Sequence, residues 1–450
     1  AGEIQTLSYR YDLRGNKVAS IDALGNETTH RYDALNRLIE TTLPPCPDVN
    51  GNSVCLVSSY EHDISGNITR TVEFDGGVTQ KTYNIRSQPT WICHPDGTEE
   101  RFVYMLDGSL AEHTAPNGSV TRYTYNALGK CIRKTVHADT GELLAENQYT
   151  YKGHQLVAET DPNGNTTTYT YDGAGRMICK RSPETETTIQ YDASGQPVRT
   201  TKAISSRPGD VHVKVLAFDL LKRPVDERIE DASGILFKRT VTTYDAAGHV
   251  YQLTTWNERG PCTLQTEYDF MGRVCRIIDA KGNETFTHYG DAINACGQRV
   301  LQVTQVDALG RSTQTTQDPL GRSHTVVKAD SYGTVLSTHS NIYDGKGRLT
   351  HRTDLVKAHG QPDRPFVTEW RYDSNGHVVE LIQGSGTPQR RQTFYTYDKA
   401  GQKQSEIAPD GMELRYTYDA AGRLTSLVHR DALDAVLANY GYSWNLAGQL

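Results

Sequence analysis

Carboxylates, imidazoles and thiols are the groups in this chain that could carry chemistry, and their spacing argues against the reactions they could serve. The 54 acidic residues would supply an acid–base pair of the glycosidase kind almost anywhere. Most aspartates, however, open Asp-x-x-Gly segments, where a carboxylate accepts hydrogen bonds from the backbone two residues on and so builds a turn. The 15 histidines include no His-Glu-x-x-His pair, and His94, His113 and His339 read as surface or cross-strand residues. Eight cysteines (Cys46, Cys55, Cys93, Cys131, Cys179, Cys262, Cys275, Cys296) form no Cys-x-x-Cys pair and no zinc spacing. Cys46 and Cys55 flank a turn-rich segment and are the pair close enough in sequence for a local bridge. Eight unpaired and mostly buried thiols is the preferred reading, because cysteine behaves as a small hydrophobe. Gly384-Ser385-Gly386 reads as a loop and not as a phosphate-binding turn between strand and helix. No catalytic residue, cofactor-binding residue or metal ligand is assigned, no cofactor is expected, and the chain is read as no enzyme.

Composition removes further classes of function. With 47 basic against 54 acidic residues the formal charge is −7, evenly mixed, which leaves no basic stripe for a nucleic acid. No stretch approaches the roughly 18 apolar residues that span a bilayer. The best candidate, residues 211–221, is interrupted by His212, Lys214 and Asp219. Ala1-Gly2-Glu3 opens no signal peptide and runs into the first tyrosine motif, while Trp444-Asn445-Leu446-Ala447-Gly448-Gln449 is another copy at the far end. The chain is therefore expected to be cut from something longer, within repeats at both ends.

Tyrosine is the aromatic used systematically, with 26 against 8 Phe and 4 Trp. It recurs in a motif, Tyr-Asp-x-x-Gly-(Arg/Asn/Gln/His). Examples are Tyr11-Asp12-Leu13-Arg14-Gly15-Asn16, Tyr171-Asp172-Gly173-Ala174-Gly175-Arg176, Tyr268-Asp269-Phe270-Met271-Gly272-Arg273, Tyr372-Asp373-Ser374-Asn375-Gly376-His377 and Tyr418-Asp419-Ala420-Ala421-Gly422-Arg423. The cleanest intervals, such as Tyr11 to Tyr32 or Tyr397 to Tyr418, are 20 or 21 residues. About ten residues after each motif comes a second turn signal, as at Asp22-Ala23-Leu24-Gly25, Asp96-Gly97, Asp161-Pro162-Asn163-Gly164 and Asp318-Pro319-Leu320-Gly321. Two turns per period make one hairpin per repeat.

Between turns lie five or six residues rich in Thr, Val, Ile and Tyr. Tyrosines stand two apart at Tyr123/Tyr125, Tyr169/Tyr171 and Tyr416/Tyr418, which puts both rings on one face of a strand. An aliphatic often follows six residues after the motif tyrosine, as at Met177, Val250, Val274 and Leu424. Two tyrosines per repeat bury too little to offset the ordering of some 20 residues, so each hairpin must lean on its neighbours. The prediction is an all-β chain in which antiparallel hairpins extend one long sheet; twist makes such a sheet coil, giving a spiral wall. Residues 1–450 are read as a single repeat domain with no internal linker. The segments 43–57, 136–147, 204–213 and 354–367, with turn residues such as Pro208-Gly209 and His359-Gly360-Gln361-Pro362, are read as longer hairpins or protruding loops. The motif drifts at Tyr60-Glu61-His62-Asp63, Phe218-Asp219 and Tyr289-Gly290-Asp291, where register is hardest to read.

The motif, its period and the turn exits Gly25-Asn26-Glu27-Thr28 and Gly282-Asn283-Glu284-Thr285 resemble the RHS/YD-repeat family of bacterial Rhs polymorphic toxins, Tc toxin B and C components, and the YD shell of teneurins. The resemblance runs along essentially the whole chain. It implies a β-hairpin spiral forming part of a hollow shell, which in a secreted or cell-surface toxin sequesters a C-terminal toxin cargo. The implied partners are that cargo and the remaining shell repeats. The alternative is a teneurin-like adhesion module whose partner is a cell-surface receptor or glycan. Bacterial members end their shell in an Asp-Pro-x-Gly-Leu type motif linked to self-cleavage. Asp318-Pro319-Leu320-Gly321-Arg322 is its nearest match, but Arg322 replaces the leucine and repeats continue beyond it, so the segment is read as an ordinary proline-containing turn.

Overall fold

A computed structural model describes residues 7–48, 50, 52–204, 210–257, 260–356, 365–419, 421–445 and 449. Among the described residues the chain forms 39 strands and no helix. One sheet takes 37 of them, and Cys46–Pro47 with Ser53–Val54 make a separate small ribbon. Every strand of the large sheet pairs antiparallel with the next one along the chain, from Ser8–Tyr11 to Val436–Gly441. Leu38–Thr42 pairs directly with Val57–His62, so the ribbon between them protrudes as the loop-like insert expected there. The sheet is open: the two terminal strands do not pair with one another.

Turn chemistry sets the register. Thr124 faces Arg133, yet the next residue, Tyr125, faces Cys131, so one residue is skipped at the motif tyrosine. The skip is a bulge produced by a type I turn followed by a left-handed residue, here Gly129 at φ 70°. Lys222 and Ser87 occupy that left-handed position without being glycine, at φ 63° and 60°. Lys222→Gly is therefore expected to raise unfolding free energy by about 1 kcal/mol, measured by urea denaturation, because it relieves the clash of Cβ with the backbone. An unchanged midpoint would count against strain at this turn.

Three details differ from the sequence reading. His62 takes the tyrosine position before the Asp63 turn, with Tyr60 two residues earlier on the same strand. The Glu284–Ile293 strand runs straight through Tyr289-Gly290-Asp291, and the turn falls at Asn294 to Gly297 instead. Strand alternation places the Asp318–Gly321 turn on the motif edge of the sheet and not at mid-repeat, with Gln317 standing where tyrosine usually does. Several mid-repeat turns also open two residues before their Asp or Asn, at His94, Ala115 and Ala408, leaving Asp96, Asn117 and Asp410 third in the turn. Pro208-Gly209 and His359-Gly360-Gln361-Pro362 lie outside the described residues.

The wall is one sheet thick, so few side chains are fully enclosed; Ala19, Val213, Val300, Val326 and Ile382 are the main apolar ones. The same thinness corrects the expectation of mostly buried thiols. Only Cys46 is buried, Cys55 and Cys262 are exposed, and the other five are half-buried.

Candidate functional site

Each motif turn is built by its aspartate. Asp172 Oδ1 accepts from the backbone N–H groups of Ala174 and Arg176, and Oδ2 accepts from Arg176 Nε at 2.7 Å. The same clamp holds Arg37, Arg223, Arg273, Arg348 and Arg423, while Asn16 and Asn67, or His249 and His377, fill the position elsewhere. In several repeats the held Arg or His lies over the aromatic ring of the next one. Arg176 sits 4.7 Å from the Tyr191 centroid and Arg273 4.1 Å from Tyr289, while His249 stacks on Tyr268 and His377 on Tyr397 at 4.6 Å.

That tyrosine closes the connection. Its hydroxyl donates to the carbonyl of the residue six places after the preceding motif tyrosine: Tyr191 to Met177 at 2.8 Å, Tyr268 to Val250 at 3.0 Å, Tyr397 to Val378 at 2.9 Å. Trp444 Nε1 does the same to Leu424. Sequence spacing marked these positions as aliphatic; that their carbonyls receive the next repeat's hydroxyl was missed. Where the motif is complete, the result is a relay of Asp, Arg or His, Tyr and carbonyl that ties a hairpin to its neighbour.

The sheet winds back over itself. Asp75, in a turn of the edge opposite the motif turns, pairs with Lys346 Nζ at 3.1 Å and Arg348 at 3.0 Å from a motif turn. Asn375 Nδ2 donates to Asp96 Oδ2 at 2.5 Å, Asn26 Nδ2 to the Arg299 carbonyl at 3.3 Å, and Gln298 Nε2 to the Pro45 carbonyl at 2.9 Å. Partners are 253 to 279 residues apart, and from Pro45 through Asp75 to Asp96 they advance together with Gln298, Arg348 and Asn375. Between the Asp75 and Asp344 turns the chain passes through 23 strands, Val78–Tyr83 to Val335–Tyr343, which is one winding. The motif edge of the second winding thus rests on the opposite edge of the first, forming a seam. Gly345 is where the windings come closest: a Cβ there would stand 2.5 Å from the Phe74 carbonyl oxygen. A cleft of about 840 Å³ opens along the seam between Phe74, His94 and Pro95 on one side and Arg322, Lys346 and His377 on the other.

Electrostatics favours the seam and the turns at neutral pH. Burial opposes the charge on Asp75, but hydrogen bonds from Gly77 and Lys346 and the nearby Arg348 outweigh it and hold the carboxyl below the usual range. Asp12 is held down by the side chain and N–H of Asn16, and Asp33 by the N–H of Arg37. Burial pushes the phenols of Tyr104, Tyr372 and Tyr418 up. A depressed carboxylate stabilises the fold above its unfolded value and loses that contribution as pH falls through the folded value. A raised phenol stays protonated when the unfolded one ionises, so its effect reverses above about pH 10. Denaturant midpoints are therefore expected to be level between about pH 5 and 9 and to drop on both sides, most steeply below about pH 4. A midpoint that rises on acidification would contradict the turn clamp.

The structure treats the singled-out residues unequally. His94 and His113 are brought together: both place Nε2 on the Glu100 carboxylate, at 2.9 and 2.7 Å. Their separation of about one repeat was the available signal. His339 stands alone in mid-strand opposite Val326, its basicity lowered by burial and by Arg352. Gly384-Ser385-Gly386 ends a strand and is followed by another strand, Arg391–Tyr397, as a loop. Asp318 is clamped to Arg322 like any motif aspartate.

The described geometry has counterparts. The RHS Repeat family model matches residues 11–44 and 397–433, and the Teneurin YD-shell model matches residues 50–216. Those stretches carry RHS and YD-shell repeats. A curated relative, Toxin protein Tse5 of Pseudomonas aeruginosa, is 33% identical over 130 residues, which is 25% of this chain and 10% of the toxin. The whole sheet superposes on the crystal structure of TcdB2-TccC3-TEV with a TM-score of 0.59 at 14% identity, covering 99% of this chain and 27% of that one. The Photorhabdus luminescens Tc holotoxin pore gives a TM-score of 0.58 at 13% identity, over 98% of this chain and 27% of that one. At such identities the likeness is one of fold, and the chain spans about a quarter of those solved chains.

Proposed function

We propose that this RHS/YD segment is a stretch of wall in a hollow shell, which encloses a toxic effector carried C-terminally in the same secreted or cell-surface polypeptide. Further shell repeats would pair with the exposed strands Ser8–Tyr11 and Val436–Gly441, making residues 1–450 part of one larger repeat domain. The observation that carries this reading is the winding itself, sealed edge to edge along the seam. At about 4.8 Å per strand, 23 strands make a ring about 110 Å around and about 35 Å across. A barrier of that kind separates an effector from its substrates sterically and needs no catalytic group, cofactor or metal. The test is protease protection of the parent polypeptide: sequence following the repeats should resist cleavage until the seam is broken. Equal cleavage with the seam intact or broken would end the containment reading.

One observation favours a second reading, an adhesion module. The motif-turn tips of the first winding carry Leu13, Ile64 and Ile85 at 107%, 102% and 104% exposure, whereas inside the seam the corresponding second turn positions Gly345 and Ser374 are small or polar. Replacing Leu13, Ile64, Ile85 and Leu106 by serine separates the two. Loss of binding to cell surfaces with protection unchanged supports adhesion, and unchanged binding counts against it.

A further inference from the structure

The buried thiol has a neighbour across the seam. Cys46 is 6% exposed and lies in the small ribbon that protrudes from the first winding. Pro45, beside it, accepts a 2.9 Å hydrogen bond from Gln298 of the second winding. Gln298 is fixed in turn, its Oε1 accepting from Asn294 Nδ2 at 2.9 Å, so the turn Asn294 to Gly297 that contains Cys296 is held against Pro45 and Cys46. Cys46 lies in the electrostatic field of Cys296 as well as of Asp318 and Arg322.

The sequence neighbour Cys55 is a poorer partner. In the ribbon Cys46 stands opposite Val54. Cross-strand partners share a face, and the following residue turns to the other one, so Cys55 points away from Cys46 and is exposed.

We infer that Cys46 and Cys296 form a disulfide across the seam in an oxidising milieu, bolting the first winding to the second. The oxidant is a small-molecule disulfide such as oxidised glutathione. Cys296, the more accessible thiol, attacks it as the thiolate, forming a mixed disulfide and releasing one small thiol. The Cys46 thiolate then displaces the second small thiol. One protein S–S bond forms, two S–H bonds are lost, their protons pass to solvent or to the departing thiolates, and two electrons leave with the small thiols.

Burial and the Asp318 charge push the Cys46 thiol up to about 11, outweighing Arg322. Its attack is therefore the slow step near neutrality, and locking should quicken about tenfold per pH unit below that value. Once formed, the bond links positions far apart in the chain, the arrangement in which a crosslink restricts the unfolded chain most. The bond itself rests on the seam alone. Its consequence, a wall locked outside cells and loosened in a reducing cytosol, rests on the containment reading.

The experiment uses the full chain. It is incubated with oxidised glutathione at pH 8, alkylated and digested without reduction, and the linked peptides are identified by mass spectrometry. A peptide joining Cys46 to Cys296, retained in Cys55→Ser and lost in Cys46→Ser and Cys296→Ser, is the expected result. A Cys46–Cys55 link, or both thiols recovered alkylated, overturns the inference. Oxidised chain should also resist protease at least tenfold longer than the same chain after reduction, and equal rates overturn the bolt. In the parent polypeptide, an exposed effector segment despite a mapped bond counts against containment and leaves the bond standing.

Discussion

Gly345→Ala is expected to open the seam, whereas the same change at Gly173 leaves the molecule intact. Both glycines stand third in the motif, in Tyr343-Asp344-Gly345-Lys346-Gly347 and Tyr171-Asp172-Gly173-Ala174-Gly175, and neither has the positive φ that would itself require glycine. They differ in what lies outside the turn. Around Gly173 there is nothing within 4 Å of a new Cβ, while at Gly345 the Phe74 carbonyl oxygen would be 2.5 Å away and its carbon 2.6 Å away. Backbone cannot rotate aside as a side chain would, so one winding must lift off the other. Overpacking of this kind costs about 1–3 kcal/mol. It also disturbs the adjoining pairs of Asp75 with Lys346 and Arg348. Gly173→Ala should be neutral or stabilising by roughly 0.5 kcal/mol, because it restricts only the unfolded chain. Urea denaturation followed by tryptophan fluorescence, to which Trp370 in the seam contributes, reads the difference. Equal midpoints for the two variants would mean that the windings do not touch there.

The contrast shows where the sequence is informative. Turn and strand identities are local: Asp172 and Gly175 specify a turn whatever surrounds them, and Tyr169/Tyr171 alternate on a strand by the pleat alone. The hairpin sheet was legible for that reason. The seam was not, because Asp75 and Arg348 are 273 residues apart. Their meeting depends on a small twist accumulated over 23 strands. No residue type announces that sum. The drifted repeats failed differently. His62 makes the turn that tyrosine usually makes, and Gln317 does so before Asp318, because the aspartate clamp and the strand alternation carry the turn even where the aromatic is lost. Reading the tyrosine as the marker therefore misplaced Tyr289, which sits in mid-strand and keeps its hydroxyl bond to Val274 and the Arg273 guanidinium over its ring but opens no turn. The pairing of His94 and His113 on Glu100 was within reach of the period, since residues one repeat apart lie on neighbouring hairpins.

Asp318→Ala is expected to be among the most damaging exchanges in the molecule, far beyond the same change at Asp307. The two turns have the same local design. Asp307 clamps Arg311 and Asp318 clamps Arg322, each through Oδ2 and through two backbone N–H groups. Around Asp307 water reaches both partners, so the loss is that of a turn cap, about 1 kcal/mol. Asp318 is 5% exposed, and Arg322 beyond it lies over the Tyr343 ring at 4.7 Å and donates to the Asp344 carbonyl at 3.2 Å, beside the buried Cys46. Removing the carboxylate leaves a guanidinium that is only 18% exposed without its ion partner, which costs about 3 kcal/mol. The same guanidinium holds the relay into the Asp344 turn that meets Phe74 and Asp75, so damage at Asp318 should spread to the seam. Asp318→Asn keeps an oxygen for the backbone N–H groups but turns an amide or a weaker acceptor toward Arg322, and should fall between wild type and alanine. Denaturation midpoints in the order wild type, Asp307→Ala, Asp318→Asn, Asp318→Ala are the expected outcome. Two alanine variants of equal stability would show that the buried pair adds nothing beyond its turn.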